Sequence, residues 1–425
     1  LPSGYVTNAY DCDDGNRTEP AVADPVRGSG AGTGTLASPF DSLQDAIDMA
    51  DYCVVAYSGT YREQIDLGGK TIDVWGVEGY DVTIIDPNLS TCTTSNPTAC
   101  GAAVTIDSGS NAAPTIHGFT ITGGTGAYTT ATSTTTCADS SASHSGRTTC
   151  TVTTYEYCGG GVYVNGDDPA FYDVDIRDNT LPEFEQTLTG RFTQTWMYSA
   201  GGGVCLLNSN ATFSDSYVAG NFADEGGGIH ASGSSFAFEQ GFVGENDAVD
   251  GGGVHLSAAS ASFSNAIVHC NAAETDGGGL FTETEGTATF TNTVFYGNTS
   301  STSGSTRGSQ AYIGTSTTFN LYNSILEANT SVPLVYGLGA GTHNYNNAYN
   351  GSGATYGGTI VAGTGAISAG SNFMSASCEG NPYNDNFALR AGGSSVNAGN
   401  PDAAFNDVDG SRNDLGAYGG PNGTW

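Results

Sequence analysis

The chain has 425 residues, and 43 acidic against 10 basic side chains give a net charge of −33. Phosphate recognition needs clustered Lys and Arg, so nucleic acid is excluded as a partner. Only 12% of residues are charged while 38% are apolar, which departs from the composition of disordered chains and leaves enough material for a core. The 63 glycines show no Gly-X-Y period and come with only 13 prolines, which excludes collagen. No apolar run approaches the ~18 residues of a membrane-spanning helix. The chain begins Leu1-Pro2-Ser3 and is read as a mature or trimmed segment whose targeting signal is absent.

In chain order, the first feature is an acidic cluster, Asp11, Asp13 and Asp14 beside Gly15, with the oxygen-rich chemistry that suits calcium. Leu43, Ala46, Ile47 and Ala50 then fall at i, i+3, i+4 and i+7 behind Ser42, which predicts a short amphipathic helix over Ser42 to Ala50 that covers one end of the fold. Two insertions follow, at 125–157, rich in Ser and Thr, and at 181–200, which carries Phe184, Phe192, Trp196 and Tyr198. Both are expected to be lateral loops. The ten cysteines include no C-x-x-C pair, which points to an oxidising compartment rather than a zinc site. Cys92 with Cys100, and Cys137 with Cys150, are close enough in sequence to close loops as disulfides; pairing among Cys12, Cys53, Cys158, Cys205, Cys270 and Cys378 stays open.

Repetition fixes the fold class. Gly-Gly-Gly-aliphatic begins at Gly159, Gly201, Gly226, Gly251 and Gly277, in steps of 42, 25, 25 and 26 residues. A second marker advances with it, at Asn179, Asn221, Asn246, Asn271, Asn298 and Asn329. Between the markers lie short alternating runs such as Val254-His255-Leu256, too short for helices. Units of about 25 residues that cannot bury their own faces must stack as a solenoid. Alignment puts Val204, Ile229, Val254 and Leu280 in one core column and Phe213, Phe238, Phe263 and Phe290 in another. The Asn column is expected to hold a buried hydrogen bond at a turn and to exploit Asn's tolerance of left-handed backbone.

The segments Pro39 to Ile47, Gly59 to Glu63, Ile116-His117-Gly118-Phe119-Thr120-Ile121-Thr122-Gly123-Gly124 and Asp407-Val408-Asp409-Gly410 through Pro421, together with the repeats, resemble the pectin-lyase-like superfamily, especially secreted bacterial proteins with diverse C-terminal anchors. The resemblance implies an all-β, right-handed, single-stranded parallel β-helix with an N-terminal capping helix. On this reading residues 1–425 form one domain: 1–53 the first strand and cap, 54–348 the coils, 349–425 a closing region. It also implies two chemistries, a lyase with a basic residue beside calcium and a hydrolase with paired carboxylates. Neither motif is complete here. Arg177 is the only basic residue in the regular repeats, and it stands where other coils have Ala219, Gly244, His269 and Tyr296.

Three further groups carry candidate chemistry. His230 and His255 follow the inward Ile229 and Val254, so they should face outward on adjacent coils about 5 Å apart, beside Glu225, Asp250 and Asp276, at a spacing a metal or proton relay could use. As a solvated strand face they need no function. Asp407, Asp409 and Asp414 form a second calcium candidate around Gly410. Phe184, Phe192, Trp196 and Tyr198 suit stacking on sugars. The expectation is a secreted or cell-surface, non-catalytic structural or adhesive protein that binds polysaccharide or copies of itself, with filaments as one outcome. The alternative is a polysaccharide lyase or glycoside hydrolase working in a lateral groove.

Overall fold

The computed structural model describes residues 20–93, 95–138, 147–190, 193–301 and 308–424. Asp11, Asp13, Asp14, Phe192 and Trp425 lie outside the described residues, as do the side chains of Cys137 and Cys150. The chain winds as a parallel β-helix. Its coils build an 18-stranded sheet, a 10-stranded sheet and a 7-stranded sheet, and successive coils pair in parallel. Among the described residues no helix is long and apolar enough to cross a membrane.

The predicted columns are the core. Val204, Ile229, Val254 and Leu280 pair in register, as do Phe213, Phe238, Phe263 and Phe290. The phenyl rings, all at most 1% exposed, stack at 5.8, 5.3 and 4.8 Å, and Phe171 extends the stack at 4.8 Å from Phe213.

Each glycine of the repeated triplet answers a different constraint. The first, at Gly201, Gly226, Gly251 and Gly277, has φ between 61° and 66°, a region that side chains disfavour. The second and third lie against the next coil, where a Cβ on Gly252 would sit 2.2 Å from the Ala272 carbonyl oxygen and one on Gly228 would sit 2.5 Å from that of Gly253. The room left by those missing side chains is taken by asparagines. Asn246 Oδ1 accepts from both the backbone N and Nδ2 of Asn221, and its own Nδ2 donates to Val218 O and Asn271 Oδ1, all at 2.9 to 3.0 Å. Asn179 through Asn298 repeat this pattern and are at most 1% exposed.

Two expectations about this column change. The left-handed residue is the one before each asparagine, namely Asp178, Gly220, Glu245, Cys270 and Gly297, so the asparagines are selected for hydrogen bonding alone. Asn329 keeps the register but is exposed and leaves the ladder. Its coil reads Gly308-Ser309-Gln310 in place of three glycines, and the Gln310 side chain fills the vacated space, accepting from Asn298 Nδ2 and donating to Glu327 O.

The helix forms as Leu43–Met49, with Ser42 Oγ accepting from Asp45 N and with Leu43, Ala46 and Ile47 buried. Glu63 accepts from Ser42 Oγ and Leu43 N at one end, while Lys70 Nζ donates to the carbonyls of Ile47, Asp48 and Ala50 at the other. Both charges oppose the helix dipole, which fixes this cap on the first coils.

The closing segment begins near Ser371. It runs back along the flank of the 18-stranded sheet as a strap, burying Phe387, Leu415 and Ala417 against Phe242, Ile267, Val294 and Ile325. Tyr383 Oη donates to Asp175 at 2.7 Å, Asn265 Nδ2 donates to the Ala417 and Gly419 carbonyls, and the Cys270–Cys378 disulfide pins the strap midway. Tyr418 is half-buried in this contact. Arg177 Nε lies 3.2 Å from Asp175 Oδ2.

His269 sits under the strap with no exposed surface, edge-on to Phe242 and Phe387, its Nδ1 3.6 Å from the Asp385 carboxylate. Burial pushes its pKa down to about 4. Below the unfolded value near 6.5 the unfolded chain takes up a proton that the folded site refuses, so stability falls as pH falls toward 4. Burial raises the Asp385 carboxyl and works in the opposite sense. His269→Phe is expected to shrink the loss of stability between pH 7 and pH 5 by about 2 kcal/mol, measured by urea unfolding at both pH values. An unchanged difference would contradict the neutral buried state.

Candidate functional site: a lateral cleft between sheet and hairpins

The two insertions are strands rather than loops. Residues Ala127–Ala138 and Arg147–Cys158 form a long antiparallel hairpin, and Glu185–Gly190 with Thr193–Ala200 form a second. Thr193–Ala200 pairs in parallel with the outgoing strand of the first hairpin, and Ala200 pairs with Glu225, so both hairpins extend the 7-stranded sheet beyond the body of the solenoid. Abundant β-branched Thr, with Tyr128, Tyr155, Tyr157, Trp196 and Tyr198, gives these segments strand propensity.

Three devices hold the hairpins in place. The Cys158–Cys205 disulfide joins the base of the first hairpin to strand Val204–Leu207. Cys92–Cys100, the first predicted disulfide, packs beneath it with Tyr157, Leu181, Met197 and Ala223. Asp224, only 8% exposed, accepts from Phe184 N and Ser199 N, both at 2.9 Å, and its own N donates to Ser199 Oγ. It clamps the two ends of the second insertion to one coil. Asp224 had no signal in the sequence because its partners lie 40 and 25 residues away.

Between these hairpins and the outer face of the 10-stranded sheet lies a cleft of about 600 Å³. Its floor carries Thr105, Asp107, Tyr163, Leu207 and His230, and its wall carries Tyr128, Glu156, Tyr198 and Glu225. Tyr128 and Tyr198 are 38% and 39% exposed, and Phe184, 49% exposed, stands 5.0 Å from the Tyr198 ring. Trp196 lies 6.3 Å from Tyr198, so three of the four predicted aromatic residues come together. Among the described residues no Lys or Arg lines the cleft. Glu225 is pushed up to about 7, first by burial and then by the carboxylates of Glu283, Asp250, Asp224 and Glu156.

His230 and His255 do follow the inward residues and stack 5.1 Å apart, but they are not a solvated face. They are 6% and 1% exposed and open an aromatic column that continues through Phe281, Tyr312 and Tyr336 at 4.9, 5.0 and 6.1 Å. Burial holds both imidazoles neutral, at about 3.

The aspartates of the closing segment serve their own turns. Asp407 accepts from Asp414 N and Gly420 N, Asp409 from Ser411 N, and Asp414 from Asn397 N. Among the described residues, the acidic, His and Cys side chains whose ligand atoms gather within 4.8 Å are two other sets, Glu225 with His230 and His255, and His269 with Cys270 and Asp385. Cys270 is committed to its disulfide, which removes the second set as a metal site.

No protein-family model and no curated protein matches the sequence. Among solved structures, pectate lyase Pel9A aligns at 12% identity over 93% of this chain and 96% of its own, with a TM-score of 0.48. Pectin methylesterase from Aspergillus niger aligns at 11% identity over 82% of this chain and 83% of its own, with a TM-score of 0.34. DFA-IIIase from Arthrobacter chlorophenolicus A6 aligns at 11% identity over 81% of this chain and 86% of its own, with a TM-score of 0.33.

Proposed function

We propose that this is a secreted β-helix protein that binds a neutral glycan in the cleft between its 10-stranded sheet and its hairpins, without cleaving it. The observation that carries this reading is the exposed aromatic group of Tyr198, Phe184 and Tyr128 at the mouth of an acidic cleft. Aromatic rings offer sugars an apolar face and a polar tip, and carboxylates accept hydrogen bonds from sugar hydroxyls. The acidic side chains Asp107, Glu156, Asp224 and Glu225 along the cleft and a net charge of −33 disfavour uronate or sulfated polymers. Secretion fits the disulfides Cys92–Cys100, Cys158–Cys205 and Cys270–Cys378.

The test is a panel of neutral and acidic oligosaccharides, read by calorimetry for binding and by released reducing or unsaturated ends for turnover. Binding of a neutral glycan without turnover is expected, and Tyr198→Ala should weaken it about tenfold or more, the loss of one stacked ring. Exclusive binding of acidic polymers would overturn the reading. Turnover of the bound glycan would replace it with a lateral-groove hydrolase or lyase.

A further inference from the structure

His230 and His255 pair directly on adjacent strands, Ile229–Ser232 and Val254–Ser257. Inside a stacked aromatic column, phenyl rings would serve as well, and the next positions along it are Phe281, Tyr312 and Tyr336. Two imidazoles in this place are costly. The Nδ1 atom of each is buried without a hydrogen-bond partner, and an unsatisfied buried polar atom costs about 1–3 kcal/mol. The Glu225 carboxylate lies 3.8 Å from His230 Nδ1, and one ligand atom from each of the three residues falls within 4.8 Å of the other two. Glu225 is 48% exposed and lines the cleft together with His230, whereas His255 is buried behind them.

We propose that Glu225, His230 and His255 bind one divalent transition-metal ion of the zinc class at the end of the cleft. Two imidazoles and one carboxylate form a donor set of borderline softness that zinc prefers and calcium does not. Such an ion would satisfy the orphaned nitrogens and separate Glu225 from its acidic neighbours. Three protein ligands leave a fourth position, and the side on which Glu225 is exposed turns it toward the cleft. With metal bonds of about 2.0–2.1 Å, tetrahedral ligand atoms lie about 3.3 Å apart, so the site closes by tilting one ring out of its near-parallel stack. His230 is the ring that moves, because His255 is held on its other face by Phe281 at 4.9 Å. The inference is independent of carbohydrate binding.

The test uses the untagged full chain, stripped with a chelator and titrated with Zn²⁺ against a chromophoric competitor, then with Co²⁺ while visible absorption is recorded. One ion per chain is expected, with visible cobalt bands of low-symmetry nitrogen and oxygen coordination and no displacement by excess Ca²⁺. His255→Phe continues the aromatic column and keeps the fold, checked by circular dichroism, and should lower zinc affinity by about 100-fold or more. Tyr198→Ala and His269→Phe should bind zinc as the parent does. Weak binding of several ions by the parent, or parent-like affinity in a folded His230→Phe/His255→Phe double variant, would overturn the site while leaving the glycan reading standing.

Discussion

Asn246→Ala is expected to destabilise the protein by roughly 4 kcal/mol, whereas Asn329→Ala should change stability by less than about 0.5 kcal/mol. The first substitution deprives Asn221 N and Nδ2 of their acceptor and leaves Val218 O and Asn271 Oδ1 short of a donor, all in a stretch with no access to water. The second removes an exposed side chain whose ladder position is already held by Gln310. Equilibrium unfolding in guanidinium of both variants beside the parent checks the pair. Equal effects would show that the ladder is not the main polar brace of the coils.

Phe263→Ala is expected to cost about 3–5 kcal/mol. Its ring is stacked between Phe238 at 5.3 Å and Phe290 at 4.8 Å, with Phe236 edge-on at 5.6 Å, so no neighbour can collapse into the vacated volume without breaking register. A nearest-neighbour solenoid confines the damage to adjacent coils. Hydrogen exchange should therefore show loss of protection centred on the strands 235–244 and 287–291 and little change at the helix cap. Uniform loss along the chain would argue for a more cooperative solenoid than nearest-neighbour coupling describes.

The coils were legible because a parallel β-helix writes its register into the chain. Residues in the Val204 and Phe213 columns recur every 25 to 27 positions, and even the turn equivalence of Arg177, Ala219, Gly244, His269 and Tyr296 holds in the strand pairing. The cleft was less so. Its aromatic wall lies in the second insertion and was recognisable by composition, but Tyr128, Glu156 and Asp224 gain their roles only when two hairpins dock on one sheet. Irregular insertions carry no period, so nothing local says that a Ser/Thr-rich stretch will pair with one 40 residues later. The strap was hidden for a similar reason: its contacts span gaps such as Asp175 to Tyr383, 208 residues apart, between segments that share no repeat. The histidines were placed on the correct face, yet their burial depends on the stacked column and on the Gly251 turn that abuts His255 and Phe281, neither of which follows from alternation alone.

The most direct test of the glycan-binding cleft is a crystal structure of the protein soaked with the tightest-binding neutral oligosaccharide from the panel. Sugar density is predicted between Tyr128, Tyr163 and Tyr198, with a ring face on Tyr198 and hydroxyls toward Glu156 and Asp107. Density on the strap side of the solenoid, with the cleft empty in the same crystal, would contradict the account.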